Sequence, residues 1–236
     1  MSITHAMVMA AGKGTRMRPL TDRVPKPLVE VAGKPLIDHT LARLSEIGIE
    51  QAVVNVHHLA DQLEMHLGEH TAPSITISDE RALLLETGGG LIRALPHLGS
   101  EPFLVINSDA IWTGQNALAP LIEAWDSTRM DALLLLTRRE DAIGYSRAGD
   151  FFLEDLRLSR RGDASTAPFV YTGAQIINPR CLKGFIAEPF SLNLVWDQLI
   201  PAGRACGVVG GASWCDVGTP EGRDLAEAAL LGGSTG

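Results

Sequence analysis

Residues 6–21 read Ala6-Met7-Val8-Met9-Ala10-Ala11-Gly12-Lys13-Gly14-Thr15-Arg16-Met17-Arg18-Pro19-Leu20-Thr21. Residues 6–9 form a short apolar run without polar alternation, the pattern of a strand buried on both faces of a parallel sheet. The run enters a turn with glycines at 12 and 14, where the backbone can approach a phosphate closely and aim its amides at it. Thr15 adds a hydroxyl donor, and Arg16 a forked cation suited to phosphate oxygens. Two common phosphate loops are excluded. The spacing GxxxxGK[ST] is absent, and Gly12-x-Gly14 lacks the third glycine of a dinucleotide fingerprint, while Pro19 interrupts the helix that should follow. On glycine spacing alone, a plain strand-to-helix turn stays open.

Working outward, apolar residues at helical spacing predict helices over 35–48, 59–67, 89–98, 117–125, 191–200 and 220–231, the last capped by Thr219. Short apolar or alternating runs predict strands over 51–56, 74–78, 103–106, 132–136, 206–209 and 214–217. This alternation predicts an α/β fold: one domain over 1–231 with a doubly wound, mostly parallel, Rossmann-like sheet. Past residue 137 the pattern changes. Segments 151–158 and 168–177 read as antiparallel strands joined by a polar turn at 159–166, a small hairpin layer over the sheet. Residues 232–236 read as a disordered tail.

The chain has 236 residues and a formal net charge of -8. A nucleic-acid partner is not expected of such an acidic chain, although a few local cations and amides suffice for a nucleotide pocket. Cys181, Cys206 and Cys215 are an odd set without metal-site spacing and read as free thiols in a reducing compartment. The start, MSITHAMVMAAGKG, has no basic segment followed by a long apolar run, and no stretch approaches the ~20 apolar residues of a membrane helix. A cytoplasmic protein without membrane contact is therefore expected.

Several further segments carry polar groups suited to chemistry. Lys26 stands between Pro25 and Pro27, which stiffen the backbone and let the lysine point at one fixed spot. Glu86-Thr87-Gly88-Gly89-Gly90 precedes a helix, and its glycines leave room for a flat base or ribose beside free helix amides. Asp109 ends the apolar segment Val105-Ile106-Asn107-Ser108-Asp109, and Asp216 ends another in Trp214-Cys215-Asp216. Ligands bind beyond the carboxyl ends of strands in open α/β sheets. Two carboxylates meeting there would repel unless a cation such as Mg²⁺ lay between them. Asn107, two residues before Asp109, is a candidate for the phosphates or a sugar. Asp150, Thr172, Gly173 and Asn193 are candidates for sugar hydroxyls, with turn formation and close packing as the competing roles. Adjacent His57 and His58 would face opposite ways in a strand and read as structural.

AAGKGTRMRPLT followed by PKPLVEVAGKPL resembles the nucleoside-diphosphate-sugar pyrophosphorylase family of sugar-1-phosphate nucleotidyltransferases, from the first strand to Asp216-Val217-Gly218-Thr219. The resemblance implies a Mg²⁺-dependent enzyme that condenses a nucleoside triphosphate with a sugar 1-phosphate and releases pyrophosphate, as monomer or homodimer. It implies that Ala11, Gly12, Lys13, Gly14 and Thr15 wrap the triphosphate. It makes Arg16 and Lys26 the catalytic cations, Gly88, Gly89 and Asn107 further nucleotide contacts, and Asp109 and Asp216 the metal ligands. The hairpin layer would then cover the sugar site. Gly149-Asp150-Phe151, the Glu-Thr-Gly-Gly-Gly stretch and the short length look most like members that join UTP to N-acetylmuramate 1-phosphate. Small mannose-1-phosphate guanylyltransferases share much of the pattern, and glucose-1-phosphate thymidylyl- and uridylyltransferases are further alternatives. Relatives often carry glycine where Ser108 stands, so slight crowding is expected there, of a degree that a hydroxymethyl group allows. A non-catalytic sensor should lack a cation or acid, and all four are present. An alcohol-phosphate cytidylyltransferase would favour an aromatic or acidic cage, and only 5% of residues are aromatic.

Overall fold

The computed structural model describes residues 3–114 and 117–232. In chain order the elements are β1 (His5–Met9), β2 (Glu30–Val31), β3 (Lys34–Pro35), α1 (Leu36–Glu46), β4 (Gln51–Val56), α2 (Ala60–Leu67) and β5 (Ser74–Asp79). There follow α3 (Glu86–Leu98), β6 (Phe103–Asn107), β7 (Ala110–Trp112), α4 (Ala119–Ala124), β8 (Ala132–Arg138), β9 (Phe151–Glu154) and β10 (Arg157–Arg160). The chain finishes with β11 (Phe169–Ile177), α5 (Asn193–Leu199), β12 (Ala205–Val209), β13 (Trp214–Asp216) and α6 (Pro220–Gly232). Residues 233–236, the rest of the expected tail, lie outside the described residues.

Among the described residues the main sheet has the order β5-β4-β1-β6-β11-β8-β12-β10-β9. Strands β5, β4, β1, β6, β8 and β12 run the same way, and β11 runs against its neighbours β6 and β8. Strand alternation gives the sheet two apolar faces. Ala6 and Val8 of β1 pack with Ile37, Leu41 and Leu63 of α1 and α2 on one face. Met7 packs with Leu91, Ala94 and Val195 of α3 and α5 on the other. This is the expected doubly wound α/β arrangement. Among the described residues, no helix is long and apolar enough to cross a membrane.

The expected hairpin layer is corrected. Residues 151–158 are two strands, β9 and β10, folded on each other with Leu158 opposite Leu153. Their loop, Asp155-Leu156, has positive φ at both residues, as in a two-residue I′ turn, but it is built without glycine and so carried no turn signal. Strand β11 is a central strand of the main sheet, with Ala174 opposite Ile106 and Gln175 opposite Leu134. Its contact with the hairpin is the pair Phe169–Phe151. The hairpin extends the sheet edge and does not form a separate layer.

The triple glycine lies inside α3, and all three residues are buried. A Cβ at Gly88 would come within 2.2 Å of the Phe190 ring, and one at Gly89 within 2.0 Å of the Glu188 carbonyl oxygen. Alanine at 89 is therefore expected to destabilise by about 1–3 kcal/mol through overpacking, against a gain in helix propensity of up to about 1 kcal/mol. At Gly12 a Cβ would meet nothing within 4 Å, so Gly12→Ala should leave stability unchanged. Urea unfolding of the two variants checks this; equal midpoints would contradict the packing account.

Candidate active site

The glycine loop is fastened at its root by a buried relay. Asn55, at the end of β4, accepts hydrogen bonds through Oδ1 from the amides of Ala10 (2.6 Å) and Ala11 (3.2 Å). Its Nδ2 donates to Glu80 Oε1 at 2.7 Å, and Glu80 Oε2 accepts from the Leu85 amide at 3.0 Å. Asn55 and Glu80 are 3% and 1% exposed, so each polar atom needs such a partner. Neither residue was singled out from the sequence. The available signal was an amide interrupting the apolar run of β4 and an acid just past β5. Downstream, Gly14 takes φ +61°, and a Cβ there would stand 2.9 Å from the Thr21 side chain and 3.0 Å from Lys26 Cβ. The Thr21 hydroxyl donates to the Gly14 carbonyl at 2.8 Å, folding the loop against the lysine segment.

The buried Lys26 donates from Nζ to Asp109 Oδ2 at 2.7 Å. Asp109 immediately precedes β7, and β7 pairs with β13 so that Ala110 stands opposite Asp216. The amide of Val217 also donates to the Asp109 carbonyl at 3.2 Å. Pairing thus brings together two carboxylates far apart in sequence. Burial, and then the charge of Asp109, push the Asp216 carboxyl up from its ordinary range; Arg147, Lys26 and Arg16 oppose the shift. Arg147 donates to Asp216 Oδ2 at 3.2 Å. Arg16 reaches the same spot, since a Cβ on Gly218 would lie 3.1 Å from both its guanidinium and Asp216 Oδ1. A separate apolar cluster underlies these groups. It joins Met17 after the glycine loop, Val29 and Val31 after Lys26, Ile111 and Cys215 of the strand pair, and Ala226 of α6. Ser108 lines the first cavity with its hydroxyl turned into a hydrogen bond to the Met9 carbonyl at 2.9 Å, which ties β6 to β1 and accommodates the serine.

Two cavities share Asn107, Asp109 and Thr87. One, of about 400 Å³, is lined by Ala11, Gly12, Lys26, Asn55, Leu84, Glu86 and Thr87 among others. The second, of about 310 Å³, is lined by Arg16, Arg147, Asp150, Arg160, Thr172, Gly173, Asn193 and Asp216 among others. Most residues singled out from the sequence therefore line one or other cavity. Lys13 and Thr15 are exposed, and with Gly14 they lie outside both linings. Gly88 and Gly89 face Phe190 and Glu188; the first cavity is bounded instead by Leu84, Glu86 and Thr87.

On the second cavity's wall several polar groups are already engaged. Asp150 accepts from the Tyr171 amide at 3.0 Å, and the Thr172 hydroxyl donates to the Leu135 carbonyl at 3.0 Å. The register of β11 against β8 shifts between Tyr171 and Gln175, a bulge of the kind that re-aims residues beside sites. There Gly173 has φ +87° and lies against the Asn107 side chain. Asn193 accepts from Arg160 at 2.9 Å, while Arg160 also pairs with Asp197 at 2.7 Å and lies over the Phe151 and Trp196 rings. His57 and His58 fall just past β4 and bond separate backbone carbonyls, those of Glu80 and Thr21.

The chain is 47% identical to the N-acetylmuramate alpha-1-phosphate uridylyltransferase of Caulobacter vibrioides, over 95% of this chain and 96% of that protein. It is 30% identical to a UTP–glucose-1-phosphate uridylyltransferase of Haloferax volcanii, over 96% of each. Among solved structures, the inositol-1-phosphate CTP transferase from T. maritima superposes with a TM-score of 0.80, covering 97% of both chains at 19% identity, which speaks to the fold. The profile described as Nucleotidyl transferase matches residues 5–147, from β1 through the glycine loop, Lys26 and Asp109 to Arg147. With an α/β sheet that carries these cations and carboxylates at its strand ends, the chain belongs to the nucleotidyl transferase family and is a nucleotidyltransferase.

Proposed function

We propose that the chain transfers a uridylyl group from UTP to N-acetylmuramate 1-phosphate with the help of Mg²⁺. The observation that carries the substrate pair is the 47% identity to the Caulobacter uridylyltransferase along nearly the whole of both chains. The sugar phosphate oxygen attacks the α-phosphorus in line, the bond from that phosphorus to the β-phosphate bridging oxygen breaks, and pyrophosphate leaves. The attacking oxygen is already anionic, so no side chain has to take a proton. In keeping with this, neither cavity lining contains a histidine. Positioning and charge neutralisation then supply the rate.

The amide of Gly12 would receive the phosphates, with the Ala11 amide held behind it by Asn55, Arg16 would hold the leaving pyrophosphate, and Lys26 would bridge the nucleophile and the α-phosphate. Thr87 and Asn107, shared by both cavities, stand where the two substrates would meet. The donor set fits a hard divalent cation: two carboxylates at one end of a strand pair, one of them with its ionised form disfavoured by burial and by the other. Mg²⁺ bound by Asp109 and Asp216 would supply charge neutralisation at the α-phosphate. Arg147, exposed above the Tyr145 ring, would be released from Asp216 to hold the sugar's lactyl carboxylate. A cytoplasmic setting in which cell-wall sugars are reclaimed agrees with the three free thiols.

Lys26→Ala and Arg16→Ala should each lower turnover by about 10²-fold or more, because each cation acts on charge that grows in the transition state. Near-normal turnover of a folded variant removes that residue from the mechanism. Chelator should abolish activity and Mg²⁺ restore it; full activity in chelator would falsify the metal assignment.

The raised carboxyl of Asp216 has a consequence for stability. Folding disfavours its ionised form, so its stabilising contribution is present at acid pH and is lost as pH rises through the raised value. Asp216→Asn should keep or raise the Tm of the metal-free protein at neutral pH, while its turnover in Mg²⁺ falls by about 10²-fold or more. Calorimetry from acid to neutral pH checks this, and a clear fall in Tm contradicts it.

In steady-state kinetics, kcat/KM should be highest for UTP with N-acetylmuramate 1-phosphate. Arg147→Ala should cut the preference over N-acetylglucosamine 1-phosphate by about 10-fold or more, the worth of one charged hydrogen bond. A higher kcat/KM for GTP with mannose 1-phosphate overturns the substrate pair in favour of guanylyl transfer.

A further inference from the structure

Away from both cavities, Asp38, His66 and His70 bring three ligand atoms together. Asp38 lies in the first turn of α1, and His66 in the last turn of α2. The helix stops at Leu67, but the His70 amide donates to the Leu67 carbonyl at 3.1 Å, so the chain makes one more tight turn. That turn brings the His70 ring beside His66, with centroids 5.2 Å apart. His66 Nε2 lies 2.7 Å from Asp38 Oδ1, His70 Nε2 lies 3.1 Å from the same oxygen, and the two Nε2 atoms are 3.4 Å apart.

Read as hydrogen bonds alone, this arrangement requires both rings to carry their proton on Nε2 and to aim two N–H dipoles at one oxygen. A cation that replaces both protons removes that crowding. Ligands about 2.0–2.1 Å from a tetrahedral ion stand about 3.3 Å from one another, and about 2.9 Å in an octahedral arrangement. The three separations cover that range. Two imidazoles and one carboxylate suit a borderline ion such as Zn²⁺ better than Mg²⁺, which favours oxygen. The three side chains are 18–26% exposed, which leaves a side open for water as a further ligand. None of the three lines either cavity.

We propose that Asp38, His66 and His70 form a Zn²⁺ site that staples the start of α1 to the end of α2. The site is independent of nucleotidyl transfer. Its role is structural, because it joins the first turn of α1 to the last turn of α2 away from both cavities.

The test uses the full chain, stripped of metal and then held in excess Mg²⁺ to occupy the oxygen-rich reaction site. Competition with a chromophoric chelator should show a single Zn²⁺ bound in the micromolar range or tighter, with a rise in Tm. Co²⁺ should give visible absorption bands of a low-coordinate ion. The double variant His66→Gln/His70→Gln should lose about 10²-fold or more in Zn²⁺ affinity, beyond what removal of a ligand's supporting partner costs. Its turnover without Zn²⁺ should match that of the parent protein, which also shows that it folds. Asp216→Asn should bind Zn²⁺ as the parent does. The proposal is overturned if the parent protein binds no Zn²⁺, or if binding persists in the double variant, in which case the ion is adventitious only.

Discussion

The hydrogen-bonded ion pair between Lys26 and Asp109 is the contact on which the reaction site turns. A lysine this buried needs an anion beside it, because an unpaired charge out of water is costly. The pair fixes the segment after the glycine loop to the end of β6. Asp109 in turn leads directly into β7, which pairs with β13 and so determines where Asp216 stands. Lys26 also abuts Gly14, whose φ of +61° favours glycine, so the glycine loop packs against the same lysine. The apolar cluster through Met17, Val31, Ile111, Val217 and Ala226 makes these segments one packed unit.

The site is over-supplied with charge of both signs. Lys26, Arg16 and Arg147 surround Asp109 and Asp216, and the raised carboxyl of Asp216 records that burial still outweighs the cations. Anionic substrates would meet cations that these pairs already draw together. The Asn55–Glu80 relay behind the loop serves the same preorganisation, since it holds Ala10 and Ala11 from below.

Much of this was legible in the residues. The apolar run of β1, the glycine turn, Lys26 between prolines and the strand-end acids are local patterns, and the structure brings them together. Strand β4 falls on the expected residues 51–56. Tertiary facts were not legible. The triple glycine looked like room for a ligand because a missing Cβ says nothing about which neighbour fills the space; here Phe190, Glu188 and Glu80 fill it. The Asp155-Leu156 turn went unread because it lacks the usual residues, so two strands looked like one. The Asp38–His66–His70 group joins two helices across 28 and 32 positions, and no spacing rule spans such a gap.

The contact between α3 and the segment before α5 has a meaning for how such enzymes change over time. Gly88 donates its amide to the Phe190 carbonyl at 2.8 Å, and the Leu192 amide donates to the Thr87 hydroxyl at 3.0 Å. Thr87 and Ser191 both line the two cavities. The two hydrogen bonds therefore stitch together the wall that both cavities share. A substitution that reshaped one cavity at this wall would bear on the other in the same step, so on the proposed function base and sugar preference would change together. Grafting one preference would accordingly call for both segments, 84–92 and 186–193, in place of a single loop.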